Sequence, residues 1–195
     1  MISKFQEVGS LLESIVLSDK NYGIDLDNFP KKSKTLFISG LSGSGKTSLA
    51  KRLVDRKDMP PCDIFNLDDV WTNLMLKNIS EEKTGENIVK KNLRIVGNYL
   101  KEITKNNSKC KIIEGVHLFS LYELYGKTFI KFLEQYPIIL LGTSSIKSSF
   151  RQLKRDKQNF KLKYILYNLF DESEYRKFRL RLLSNKSRNV KEVNL

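Results

Sequence analysis

A chain of 195 residues with 40% hydrophobic content fits one domain with a sizeable core and leaves no need for a second. No apolar run approaches the roughly 18 to 20 residues of a membrane span. Met1 to Ser10 lacks the basic-then-apolar order of a signal peptide, so a cytoplasmic location is expected. The net charge of +13 is unevenly placed: Ser145 to Leu195 holds fourteen Lys or Arg against five Asp or Glu, whereas Met1 to Ser33 holds four basic and five acidic residues. Such a basic surface can attract nucleic acid without sequence preference, can face a nucleoside triphosphate and a phosphorylated substrate, or can be only a solvated face.

In chain order, Met1 to Ser18 carries Phe5, Val8, Leu12 and Ile15 at helical spacing, and Asp19 to Ser33 holds Gly23 and Pro30. Residues 1–33 therefore read as a helical extension and a turn-rich connector. Thr35 to Ser39 is a buried strand by composition, and it runs into Gly40-Leu41-Ser42-Gly43-Ser44-Gly45-Lys46-Thr47. That octet is a complete P-loop. A helix is expected to open near Gly45 and to run over Ser48 to Asp55, until Pro60-Pro61 stops the chain. Cys62 to Asn66 reads as the next strand, Val70 to Lys77 as a helix with Asp68 or Asp69 at its N-cap, and Glu86 to Thr104 as a helix. In the last of these Ile88, Val89, Leu93, Val96, Leu100 and Ile103 share one face. Lys111 to Glu114 and Pro137 to Leu141 are short apolar strands. Tyr164, Tyr167 and Tyr175 fall in a pattern with Leu166, Leu169, Phe170 and Phe178 that reads as a buried helix face, and no fifth strand is evident in the tail. Cys62 and Cys110 have no CxxC partner and are expected as two reduced thiols.

Strands alternating with helices imply a parallel sheet covered on both faces. A phosphate chain needs backbone N–H donors at close range in a turn that glycine permits. Gly40, Ser42, Gly43, Ser44, Gly45, Lys46, Thr47 and Ser48 are thus the expected nucleotide-binding set. Lys46 would reach the β- and γ-phosphates and the Thr47 hydroxyl would meet Mg²⁺. The Asn-Lys-x-Asp and Asp-x-x-Gly motifs of a GTPase are absent, and the apolar strand before Glu114-Gly115 lacks the Asp-Glu pair usual in motor or oligomeric ATPases. Small phosphotransferases remain.

Beyond the P-loop, Phe65-Asn66-Leu67-Asp68-Asp69-Val70-Trp71 resembles the substrate-side motif of polynucleotide 5′-hydroxyl, adenylylsulfate, uridine and zeta-toxin-like kinases. Lys111-Ile112-Ile113-Glu114-Gly115-Val116-His117 is similar to the third-strand motif of the uridine and zeta-toxin-like kinases. The resemblance implies a three-layer, nucleoside-kinase-like P-loop NTPase fold over residues 34–195 that uses ATP and Mg²⁺. It makes Asp68 the residue that orients or deprotonates an acceptor hydroxyl, and it sets Glu114 near the metal or the acceptor. His117 would touch the acceptor or serve only as a structural residue. In small kinases a helical lid follows the fourth strand, here near 144–160, and its Arg151 and Arg155 lie four apart on one helix face, able to point at the phosphates. The alternative for this stretch is a solvated basic helix.

The expected activity is ATP-dependent phosphoryl transfer to a hydroxyl of a small molecule, nucleoside or nucleotide. The alternatives are a polynucleotide 5′-hydroxyl kinase and a non-catalytic ATP-binding regulator. If residues 144–160 form a lid, hydrogen exchange there slows when a non-hydrolysable ATP analogue binds; equal protection with and without nucleotide rules the lid out.

Overall fold

The computed structural model describes residues 34–55, 60–81, 85–105, 109–142, 173, 175–184 and 190–194. The N-terminal extension and residues 143–172, with Arg151, Arg155, Tyr164 and Tyr167, lie outside the described residues.

Five strands form one sheet in the order β2-β3-β1-β4-β5, and every pairing is parallel. They are β1 (Thr35–Gly40), β2 (Cys62–Asn66), β3 (Cys110–Glu114), β4 (Ile138–Gly142) and β5 (Val190–Asn194). The helices between them are α1 (Lys46–Val54), α2 (Leu67–Ser80), α3 (Glu86–Lys105), α4 (His117–Tyr125) and α5 (Lys127–Leu133), and residues 175–184 are also helical. No described helix is long and apolar enough to cross a membrane.

The strand sequences show why the sheet is covered on both faces. Successive side chains point to opposite faces of a strand. Phe37, Ile113, Ile138 and Leu140 accordingly join one cluster, with Leu93, Val96, Leu100, Leu118, Ile130 and Phe178. Leu36, Ile38, Ile112, Ile139 and Leu141 join another, with Leu49, Ala50 and Leu53 of α1. β1, β3 and β4 are thus apolar without alternation because neither face meets water. Phe37 sits at the centre of the first cluster, 5.3 Å edge-on from Tyr136. Burying such a ring contributes about 1.5–3 kcal/mol.

Several expectations change. The fifth strand exists: it lies beside β4, and the pair of Arg179 with Glu192 ties it to the 175–184 helix. α2 starts at Leu67, three residues earlier than expected, because the Asn66 side chain accepts the backbone N–H groups of Asp68 and Asp69. Asn66 is therefore the N-cap, and both aspartates sit within the first turn, where negative charge favours the helix N-terminus. Val89 is exposed rather than on the buried face; it precedes Asn92, the first buried residue of α3.

The two cysteines are not separate thiols. Cys62 and Cys110 are register partners at the starts of β2 and β3, with Cα atoms 4.4 Å apart, and they form a disulfide. A separation of 48 residues carried no hint of this, since strand pairing alone brings them together. The buried Lys111 next to Cys110 donates from Nζ to the Ile103 carbonyl at 2.5 Å, placing a cation at the C-terminal end of α3.

Tyr175 closes the sheet's other side. Its hydroxyl donates within reach of the Ser39 and Leu141 carbonyls, at 3.0 and 3.3 Å, and burial pushes its phenol well above the usual range. It thereby ties the 175–184 helix to the ends of the two strands nearest the P-loop. Tyr175→Phe leaves the ring's packing in place and removes this donor. It is expected to lower stability by about 1 kcal/mol and Tm by about 2–4 °C in thermal unfolding. An unchanged Tm means that the hydroxyl does not clamp the strand ends.

Candidate active site

Because all five strands run the same way, their C-terminal ends share one edge of the sheet. Ligands of open α/β sheets bind outside that edge. β1 ends there in the P-loop, β2 in Asn66 and the start of α2, and β3 in Glu114 and Gly115. The register brings them close: Glu114 is paired with Ile38 of β1 on one side and with Asn66 of β2 on the other.

The P-loop turns through Gly43 (φ 77°) and Gly45 (φ 94°), left-handed conformations that a Cβ would strain. Gly45 is the N-cap of α1 and offers no side chain, so nothing from the residue itself occupies the helix N-terminus. That end carries a partial positive charge and unpaired N–H groups suited to an anion. The Ser44 hydroxyl is fully buried in the loop with no hydrogen-bond partner. Gly40, Ser42 and Ser48 take their expected places at the end of β1, in the turn and in the first turn of α1.

The chemistry-bearing side chains converge on Lys46 and Thr47. Lys46 is buried, with Nζ 3.2 Å from the Leu41 carbonyl and 3.6 Å from Asp68 Oδ2. Thr47 Oγ1 donates to Glu114 Oε1 at 2.6 Å. Glu114 is fully buried, and its second oxygen, Oε2, has no hydrogen-bond partner. Burial pushes the Glu114 carboxyl above its ordinary value of 4.5, against the opposing pull of the Thr47 hydrogen bond and the Lys46 charge. A carboxylate in such a place asks for a cation. The donor set fits Mg²⁺: a hydroxyl and a carboxylate are hard oxygen ligands, and Mg²⁺ takes few protein ligands and keeps waters. Among the described residues no group of three His, Cys, Asp or Glu forms a closed metal cage.

Asp68 is positioned from three sides. Its Oδ1 accepts the Val116 N–H at 2.8 Å, its Oδ2 faces Lys46, and the Asn66 cap holds its own backbone. Gly115 makes this possible: a Cβ there would stand 2.9 Å from Asp68 Oδ1 and 2.9 Å from Leu67 Cβ. His117 opens α4, and its ring lies against Trp71 with centroids 4.6 Å apart. Burial lowers the His117 pKa below 6.5, with the Asp68 charge pulling the other way, so the imidazole is neutral at pH 7.

The structure therefore brings together the P-loop, Asp68, Glu114 and His117, from segments spread over 77 positions between Gly40 and His117. Asp69 is exposed on the first turn of α2, and its charge adds a smaller push to the Glu114 carboxyl. Two residues at the site had no role assigned to them from the sequence, Asn66 and Trp71. Asn66 carries the signature of a cap, an Asn directly before an acidic first turn, and could have been found. Trp71 stood in the quoted motif, yet only the packing of α2 against α4 gives it His117 as a partner.

A parallel five-stranded sheet, a glycine turn capping α1, and two carboxylates beside the loop's lysine define a nucleotide-binding P-loop NTPase domain of the three-layer α/β kind. The chain belongs to the AAA domain family, whose model matches residues 36–174. No curated protein matches it. Solved structures similar to it include a gluconokinase from Sinorhizobium meliloti 1021 at 15% identity, covering 70% of this chain and 73% of that one, with TM-score 0.47. A shikimate kinase from Acinetobacter baumannii, in complex with shikimate, matches at 16% identity, 80% and 96% coverage and TM-score 0.48. The tunicamycin resistance protein of Deinococcus radiodurans matches at 18% identity, 76% and 81% coverage and TM-score 0.49.

The buried Glu114 charge has a measurable signature. An acid whose folded pKa is raised stabilises the fold below its unfolded pKa, here about 4.5, and that stability is lost as pH rises through the folded value. Glu114→Gln removes the charge and keeps the acceptor for Thr47. In the absence of metal it is expected to raise Tm by about 2–4 °C at pH 8, with the gain shrinking as pH falls toward 4.5. A gain that is constant with pH contradicts a buried, ionised Glu114.

Proposed function

We propose that this protein is a kinase that moves the γ-phosphoryl group of ATP to a hydroxyl of a small molecule, nucleoside or nucleotide. The observation that carries the proposal is the placement of Asp68, fixed by the Val116 N–H and facing Lys46 across 3.6 Å, with Glu114 held separately on Thr47. A nucleotide-binding regulator needs the P-loop and a metal-side acid; a second carboxylate held toward the same lysine is what an acceptor hydroxyl requires.

In this reading the loop's N–H groups, the N-terminus of α1 and Lys46 hold the β- and γ-phosphates, leaving the γ-phosphorus open to in-line attack. Asp68 accepts a hydrogen bond from the acceptor hydroxyl and takes its proton as the new O–P bond forms and the bond from the γ-phosphorus to the bridging oxygen breaks, releasing ADP. Thr47 and Glu114 would hold Mg²⁺, which when bound neutralises charge on the phosphates. Arg151 and Arg155 are the proposed partners of the transferring group from the segment after β4.

The net charge of +13 keeps nucleic-acid ends among the acceptors to be screened. Labelled ATP with sugars, nucleosides, nucleotides and 5′-hydroxyl oligonucleotides, at two salt concentrations, separates these acceptors. A nucleic-acid substrate would lose binding steeply as salt rises. With the accepted substrate, Lys46→Ala is expected to leave under about 1% of the transfer rate. Asp68→Asn is expected to lower kcat about 10²- to 10⁴-fold while ATP Kd changes by less than about threefold. Wild-type turnover in Asp68→Asn removes the assigned acceptor role, and ATP binding without any phosphorylated product across the screen favours the regulator.

A further inference from the structure

The acceptor side of this site has a wall whose composition is unusual for the chain. Trp71 stands one turn along α2 from Asp68, and His117 opens α4 directly after the β3 end that carries Glu114. Their rings meet with centroids 4.6 Å apart and planes inclined by 34°, and both residues are only half-buried. Val116, directly before His117, donates its N–H to Asp68 Oδ1 at 2.8 Å, which sets the pair beside the reacting groups rather than on a remote face. Ser120, one turn along α4, places its hydroxyl 3.5 Å from His117 Nδ1.

Charge gives this wall a direction. The protein holds 35 Lys and Arg, yet α2 from Leu67 to Leu76 and the whole of α4 from His117 to Tyr125 contain none. Asp68 and Asp69 stand in the first of these stretches. Lys46 is the basic residue at this site among the described ones, and in the kinase reading it holds the phosphates of ATP. Among the described residues, a phosphate or carboxylate on the acceptor would therefore meet Asp68 and Asp69 and no cation from Leu67–Leu76 or His117–Tyr125.

We infer that the Trp71–His117 pair forms the acceptor subsite and that it selects an uncharged ring bearing hydroxyls, a nucleoside or a sugar, over phosphorylated or carboxylated acceptors. The inference rests on the kinase reading above for the word acceptor. The indole offers a flat apolar surface to a nucleobase or to the C–H face of a sugar, and His117 and Ser120 supply neutral polar atoms at its edge. The ring is held by stacking, and Asp68 takes the hydroxyl that reacts.

Trp71 is the chain's single tryptophan, so its fluorescence reads the subsite without any turnover. The test titrates the full chain, its P-loop saturated with a non-hydrolysable ATP analogue and Mg²⁺. The ligands are uridine, adenosine and glucose, each paired with its monophosphate, and gluconate. At least one uncharged compound is expected to give a saturable change in emission, with Kd at least about tenfold below that of its phosphorylated partner. The response of nucleosides or of glucose tells which ring is taken. For the responding compound, Trp71→Leu is expected to raise KM about 5- to 150-fold, while Trp71→Phe, which keeps a flat ring, stays within a few fold of wild type. Tighter binding of the phosphorylated or carboxylated compounds overturns the inference, as does silence of Trp71 toward every uncharged one or an unchanged KM in Trp71→Leu. Saturable binding with no phosphorylated product leaves the subsite standing and removes the kinase reading instead.

Discussion

The parallel pairing of β3 between β1 and β2 is the constraint on which the site depends. It sets Glu114 beside Ile38 on one neighbour and Asn66 on the other, so a single strand end lies between the P-loop and the start of α2 that carries Asp68. Reversing any one of these strands would carry its last residues to the far edge of the sheet, about 16 Å away over five residues at about 3.3 Å each. Neither half of the site could then reach the other.

That constraint comes with an energetic cost, and the surrounding groups are arranged to offset it. A fully buried carboxylate is unfavourable unless hydrogen-bonded or paired. Thr47 satisfies one oxygen of Glu114, and Lys46 contributes a nearby positive charge. The second oxygen is left without a partner, as is the buried Ser44 hydroxyl in the loop. Native proteins keep few such groups, and they concentrate where a ligand completes them. The apolar layers on both faces of the sheet supply the stability that tolerates this local deficit.

Rigidity around Asp68 has a similar logic. The Asn66 cap, the close approach of Gly115 and the Val116 N–H fix a short side chain whose position would otherwise depend on one rotamer. Asp68 is therefore held in place relative to the P-loop by contacts from the ends of β2 and β3. The Tyr175 hydroxyl works on the opposite side, joining the chain that returns from that segment to the carbonyls of Ser39 and Leu141. The disulfide between Cys62 and Cys110 joins β2 and β3, the strands that lead to Asn66 and Gly115, at their other end.

Much of this was determined by local sequence alone. The P-loop octet, the strand before it and the apolar runs that became β3 and β4 are short-range patterns, and a glycine turn or a doubly buried strand has a composition of its own. They were enough to define a P-loop α/β fold and to single out Lys46 and Thr47, while Asp68 and Glu114 became candidates through the likeness of two short motifs to those of small kinases. The remaining features are long-range. β5 is Val190–Asn194, with a lysine and a glutamate in its middle, and only its place beside β4 and the pair of Glu192 with Arg179 make it a strand. The cysteine pair needed the register of β2 on β3, and the meeting of Trp71 with His117 needed α2 and α4 packed together. Composition and periodicity report what a residue prefers around itself; which distant residue it meets is decided by strand pairing and helix packing, because those contacts form only when the whole core closes.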